Sequence, residues 1–150
     1  MTTVTPTGVR GLNHMGLCVR DAAAATEFYR DVAGFAVRSG PSRIRGDWFD
    51  TLTHNRGAEI EVVMLALGDF TLQLVQYHEA GADAAPAGHH HAGNPHLCFD
   101  VSDVDAKHAE VVASGRNRPT AIVDIAGTGA RSFYVEDPDG TPVEFLQLPS

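Results

Sequence analysis

Two stretches of this chain share one layout. In NHMGLCVRD (residues 13–21) a histidine opens a short apolar strand, with Val19 five places on and Asp21 seven places on. In PHLCFDVSD (95–103) the same offsets separate His96, Val101 and Asp103. An internal repeat constrains a fold more than any single segment can, because one unit buries only one face and needs its twin to cover it.

The repeat extends through both halves. After the first strand, Asp21 is expected to cap a helix through AAAATEFYRDVA, with Phe28 and Val32 facing inward and Gly34 at the C-terminus. FAVRS reads as a short strand, followed by a Gly/Pro/Arg-rich loop and then AEIEVVMLAL and FTLQLVQY, parted at Gly68–Asp69 as in a tight hairpin. In the second half PHLCFDV is a strand, Asp103 caps a helix through VDAKHAEVVAS, and Gly115 ends it. TAIVDI, RSFYVE and TPVEFLQL follow as strands, the last two joined by the turn DPDG. Each half is strand, helix, three strands. Module 1 spans about 8–77, an Ala/Gly/His-rich connector runs over 78–94, and module 2 spans about 95–148 of a single 1–150 domain.

Composition narrows the partners. The formal net charge is -8 with histidines neutral, and Lys and Arg form no cluster, which excludes nucleic acid as an expected partner. No apolar run reaches membrane-spanning length, and MTTVTPTGVR has no apolar signal-peptide core. A cytoplasmic location is the expectation. Two cysteines do not make a disulfide framework.

The last strands of the halves also correspond: LQLVQY (72–77) aligns with VEFLQL (143–148), so Gln73 matches Glu144 and Gln76 matches Gln147. Alternation along strands puts His14, Gly16 and Cys18 on one face, and His96 with Cys98. Gln73 and Glu144 share their faces with Tyr77 and Leu146 respectively, while Gln76 and Gln147 point the opposite way, outward by this reading. If two sheets curve around one cleft, His14, Gln73, His96 and Glu144 all enter it. Two imidazoles, a carboxylate and an amide oxygen suit a divalent Fe, Mn, Co, Ni or Zn ion. Trp48, Phe49 and Tyr77 are candidate pocket-lining aromatics, and Arg131 is a candidate for holding an anionic group of a substrate. Cys18 and Cys98 read as small core residues, and His89–His91 as a loop over the cleft or a polar linker.

LNHMGLCVRD, FYRDVAGF, TLQLVQY, PHLCFDVSD and above all FYVEDPDGTPVEFLQ resemble the vicinal oxygen chelate superfamily, from about Gly11 to Leu148. That group includes glyoxalase I, methylmalonyl-CoA epimerase, extradiol dioxygenases, fosfomycin-resistance transferases and metal-free bleomycin-binding proteins. The resemblance implies an α+β fold of two paired βαβββ modules forming a U-shaped, partly open eight-stranded barrel-like cleft, usually in a homodimer. It implies His14, Gln73, His96 and Glu144 as metal ligands, an order similar to the epimerase and glyoxalase I branches. Glu144 is then a catalytic base, and Glu61 resembles the position of an epimerase base, with Glu59 beside it.

The expected function is metal-dependent proton transfer (isomerase, epimerase or lyase) on a small substrate held through two oxygens. Extradiol-type ring cleavage, with His14, His96 and Glu144 as the ligands, is one alternative. A non-catalytic small-molecule binding or resistance protein is the other.

Overall fold

A computed structural model describes residues 8–79 and 88–150. The segment 1–7 and the connector residues 80–87 lie outside the described residues. Module 1 contains β1 (Met15–Cys18), α1 (Ala22–Ala33), β2 (Ala36–Ile44), α2 (Asp47–Thr53), β3 (Ile60–Leu67) and β4 (Phe70–Tyr77). Module 2 contains β5 (Leu97–Asp100), α3 (Val104–Ala113), β6 (Val123–Asp124), β7 (Arg131–Glu136) and β8 (Pro142–Gln147). They form two four-stranded mixed sheets, ordered β1-β4-β3-β2 and β5-β8-β7-β6. In each, the first strand runs parallel to the last and the remaining pairs are antiparallel. The expected α+β fold of paired βαβββ modules is therefore met. Among the described residues no helix is long and apolar enough to cross a membrane.

The repeat holds down to single hydrogen bonds. Asp21 caps α1 by accepting from the Ala24 amide at 2.9 Å, and Asp103 caps α3 by accepting from Ala106 at 2.9 Å. Each cap fills one of the donors that a helix start leaves open. A second is filled from the sheet: Gln76 Oε1 accepts from Ala22 N at 2.8 Å, and Gln147 Oε1 accepts from Val104 N at 2.8 Å. Gln76 and Gln147 thus leave the metal-candidate face, as alternation requires, but point to the helices rather than outward to water. Gly68–Asp69 is the two-residue hairpin expected, with Leu67 paired to Phe70.

Three elements differ from the sequence reading. β2 continues past Ser39 to Ile44, because register shifts between Val37, Ser39 and Ser42 carry the strand across Gly40–Pro41. Gly40 sits at φ 94°, and a Cβ there would meet the Val62 carbonyl oxygen at 2.5 Å, so only glycine fits. α2 replaces part of the expected loop: Phe49 is buried with Ala58, Ile60, Val62 and Val75. β6 keeps only two residues of TAIVDI, as an edge strand on β7.

The two sheets meet through their helix-bearing faces. Leu17, Val63, Leu65, Leu72 and Leu74 of one and Leu97, Phe133, Val135, Val143 and Phe145 of the other join α1 and α3 in one core. Inside it, the fully buried Tyr29 donates to Asp137 Oδ2 at 2.8 Å. Asp137 Oδ1 also accepts from the Asp139 and Thr141 amides, each at 2.9 Å. Burial pushes the Asp137 carboxyl up, against the pull of these donors. Tyr29→Phe leaves a buried carboxylate oxygen without its donor and is expected to lower stability by about 1–3 kcal/mol. Urea unfolding checks it; an unchanged midpoint shows that the bond contributes nothing net.

Candidate metal centre

The residues of the expected site fall on matching faces of the two modules, and His96 and Glu144 stand side by side. On module 1, His14 precedes β1, and its Nδ1 lies 2.7 Å from Asn13 Oδ1. That contact engages one ring nitrogen, and among the described residues Nε2 has no hydrogen-bond partner, the arrangement that orients metal-binding histidines. Gly16 pairs with Gln73 across β1 and β4. The Gln73 amide oxygen lies 3.4 Å from where a Cβ on Gly16 would stand, so the missing side chain leaves that oxygen room. Tyr77 is on the same face of β4, half-buried. Phe49 covers the far end of that face, while Trp48 is 61% exposed at its rim.

On module 2, His96 Nε2 stands 3.7 Å from Glu144 Oε2. Three neighbours hold that carboxylate. Ser132 Oγ donates to Oε1 at 2.6 Å and Tyr134 OH donates to Oε2 at 2.9 Å. Cys98, opposite Glu144 in the β5–β8 ladder, donates as well. Burial pushes the Glu144 carboxyl up, but these donors and His96 outweigh it, and the net direction is down. The same contacts push Tyr134 up to about 12 and Cys98 up to about 11, burial contributing most in both. Glu144 is thus held as an anion, with an imidazole beside it and lone pairs remaining on each oxygen.

The sequence reading singled out neither Ser132 nor Tyr134. Their signal was present in RSFYVE, where polar Ser132 and Tyr134 alternate with Phe133 and Val135. Tyr134 is paired with Glu144, and Ser132 follows it on the same face. The role of Cys98 also differs from a core residue: it is exposed, as is Cys18.

Two expected residues do not join these groups. Glu61 pairs with Gln76, so it faces the side where α1 packs, opposite Gln73. A one-residue offset on a strand reverses the face, and Glu61 falls on the wrong parity. It lines a cavity of about 250 Å³ with Ala23, Thr26 and Glu27 of α1. Arg131 pairs with Gln147, on the helix side of β8, and makes a two-pronged ion pair with Asp105 of α3. Its guanidinium is also 3.3 Å from Asp124. Glu59, the weaker base candidate, is ion-paired with Arg43 and Arg45.

The His14/Gln73 and His96/Glu144 pairs occupy equivalent faces, each turned away from the shared core. Among the described residues, no three His, Cys, Asp or Glu side chains gather as a cation site within one chain. The donors in each pair nevertheless fit a divalent ion: an imidazole with a free nitrogen, an amide oxygen with space around it, and an anchored anionic carboxylate.

Two open sheets of βαβββ topology, each carrying a histidine and a carboxylate or amide at matching positions, define a class of duplicated α+β proteins. The chain belongs to the Glyoxalase/Bleomycin resistance protein/Dioxygenase superfamily, whose model matches residues 11–145. It is 27% identical to the uncharacterized protein YaeR of Escherichia coli (strain K12) over 141 residues, 93% of this chain and 98% of YaeR. A glyoxalase family protein from Bacillus cereus has the same fold, with a TM-score of 0.80 at 16% identity over 100% of this chain and 99% of that one. Lactoylglutathione lyase from Agrobacterium tumefaciens superposes with a TM-score of 0.60 at 21% identity, covering 93% and 95% of the two chains.

Alternation assigns different work to two neighbouring glutamines. Gln76→Ala is expected to lose the Ala22 contact and about 0.5–2 kcal/mol of stability, as other lost helix caps do, with metal content unchanged. Gln73→Ala is expected to do the reverse. Thermal unfolding and elemental analysis of both variants decide it; metal loss in Gln76→Ala and not in Gln73→Ala shows that the wrong glutamine is named.

Proposed function

We propose that this chain is a divalent-metal enzyme of the glyoxalase type, working as a homodimer on a small substrate bound through two neighbouring oxygens. The observation that carries the reading is the His96–Glu144 pair, with its carboxylate held anionic by Ser132, Tyr134 and Cys98. His14 and Gln73 stand at the matching positions of the other module. Because both faces look away from the common core, His14 and Gln73 of one copy and His96 and Glu144 of a second are assigned to one shared cation. The superfamily match and the likeness in fold to a lactoylglutathione lyase support this assignment.

A divalent cation held by these donors supplies Lewis-acid stabilisation of negative charge on substrate oxygens. The protein's own share is positioning and proton handling. Glu144 is the proposed base, taking a proton from the substrate carbon next to the bound oxygens. Hydrogen bonds from Ser132 and Tyr134 keep it in the form able to accept one. Gly16 keeps the space beside Gln73 clear. Tyr77 and, at the rim, Trp48 are proposed to bound the substrate. Glu61 and Arg131 take no part in this reading, since both lie on the helix side of their sheets.

Mixed dimers test the shared site directly. His14→Ala and His96→Ala homodimers are each expected to lose metal. Unfolded together and refolded, half of the dimers become mixed, and each mixed dimer regains one intact site. Metal content then returns to about a quarter of the wild-type level, by the geometry of a two-fold interface. Elemental analysis reads the result. No recovery on mixing overturns the shared site, and undiminished metal in His96→Ala and Glu144→Ala removes the centre from these residues.

A further inference from the structure

The three histidines His89–His91 have separate structural positions. Residues 88–94 close into a compact loop: the His91 amide donates to the Gly88 carbonyl at 3.0 Å, and the Asn94 side-chain amide donates to the same oxygen at 3.1 Å. His91 Nδ1 accepts from the Gly88 amide at 2.9 Å, and the His90 ring lies 4.3 Å from the His91 ring. His91 is thus consumed in the loop, with His90 against it. His89 goes elsewhere. Its ring lies 5.8 Å from that of Tyr134, and its Nε2 is 3.7 Å from Glu136 Oε1.

Both neighbours belong to the face of β7 that looks at the candidate centre. Ser132, Tyr134 and Glu136 alternate along that face, and Tyr134 is paired with Glu144. Tyr134 also meets His96, with ring centres 5.9 Å apart. The Tyr134 ring is therefore a neighbour of two imidazoles. One belongs to the Glu144 pair; the other sits farther along the strand, beside Glu136. Side chains of His89 and Glu136 are each more than half exposed, so their polar atoms are open to a bound molecule.

We infer that His89 and Glu136 form a specificity subsite, receiving a hydrogen-bond donor of the substrate, a hydroxyl in particular, that lies beyond its two chelating oxygens. A carboxylate beside an imidazole favours the tautomer with N–H toward the carboxylate, leaving the other ring nitrogen as an acceptor. The subsite then offers that nitrogen and the carboxylate oxygens, both acceptors, and no fixed donor. A substrate oxygen carrying hydrogen is matched there, while a carboxylate or phosphate meets Glu136 and is repelled. Preference comes chiefly from such polar pairing, since an acceptor left unpaired on binding loses its water without replacement. This inference rests on the metal-enzyme reading above.

Two hydroxamates that chelate alike separate the contributions: butyrohydroxamate, and 4-hydroxybutyrohydroxamate with a hydroxyl on its far carbon. The full chain is loaded with cobalt(II), and the change in cobalt absorbance on titration gives each affinity. The wild type is expected to bind the hydroxyl-bearing probe about fivefold to tenfold more tightly, the range of one good hydrogen bond. His89→Ala and Glu136→Gln are expected to erase or reduce that preference while holding as much cobalt and binding butyrohydroxamate equally well. Equal preference in wild type and His89→Ala overturns the subsite. Cobalt loss in His89→Ala also overturns it, since the residue is then a ligand. A wild type that holds no cobalt overturns instead the metal-centre reading beneath it.

Discussion

The architecture depends on one apolar core shared by two modules. Neither sheet can cover its helix-bearing face alone, and the side chains of both enter a single cluster around α1 and α3. Burial of this kind is non-directional, so it brings the modules together without fixing their mutual angle. The buried Tyr29–Asp137 bond supplies direction, tying a helix of one module to the turn between β7 and β8 of the other. An unpaired carboxylate is costly inside a protein, so only an arrangement that keeps its donors in place is stable.

That choice of buried face decides what remains outside. With Leu17, Leu72, Leu74, Val143 and Phe145 facing inward, strand alternation turns His14, Gly16, Gln73, His96 and Glu144 away from the core. The same rule sends Gln76 and Gln147 to the helix starts, where they accept from Ala22 and Val104. The strands β1, β4, β5 and β8 thus pack into the core on one face and leave polar side chains on the other. The two matching positions differ in their surroundings: Gln73 lies beside Gly16, whereas Glu144 accepts hydrogen bonds from Ser132 and Tyr134.

Much of this was legible from the residues. The paired layout starting at His14 and His96, the caps at Asp21 and Asp103, and the hairpin at Gly68–Asp69 all depend on contacts between chain neighbours or on strict alternation. The face shared by His14 and Gln73, and that shared by His96 and Glu144, follow from alternation plus the repeat. The candidacy of Glu61 comes from resemblance, whereas its face is set by its partner Gln76, which puts it on the helix side of its sheet. The ion pair of Arg131 was not legible, because an arginine beside a strand does not announce Asp105, twenty-six positions earlier, as its partner. α2 was hidden by the Gly/Pro-rich stretch around it, and its buried Phe49 is stabilised by residues of β3 and β4 that no local pattern reveals.

The amino-acid sequence by itself determined the two βαβββ units, their caps and turns, and which residues alternate together, since these depend on short-range sterics and hydrogen bonding. Tertiary structure alone decided which face of each sheet is buried, and hence that the His14/Gln73 and His96/Glu144 pairs look outward from one chain rather than toward each other. It also decided which hydroxyls hold Glu144 and where His89 comes to rest. Those outcomes depend on packing between segments distant in sequence, where the free energy belongs to the assembled core and not to any one stretch of chain.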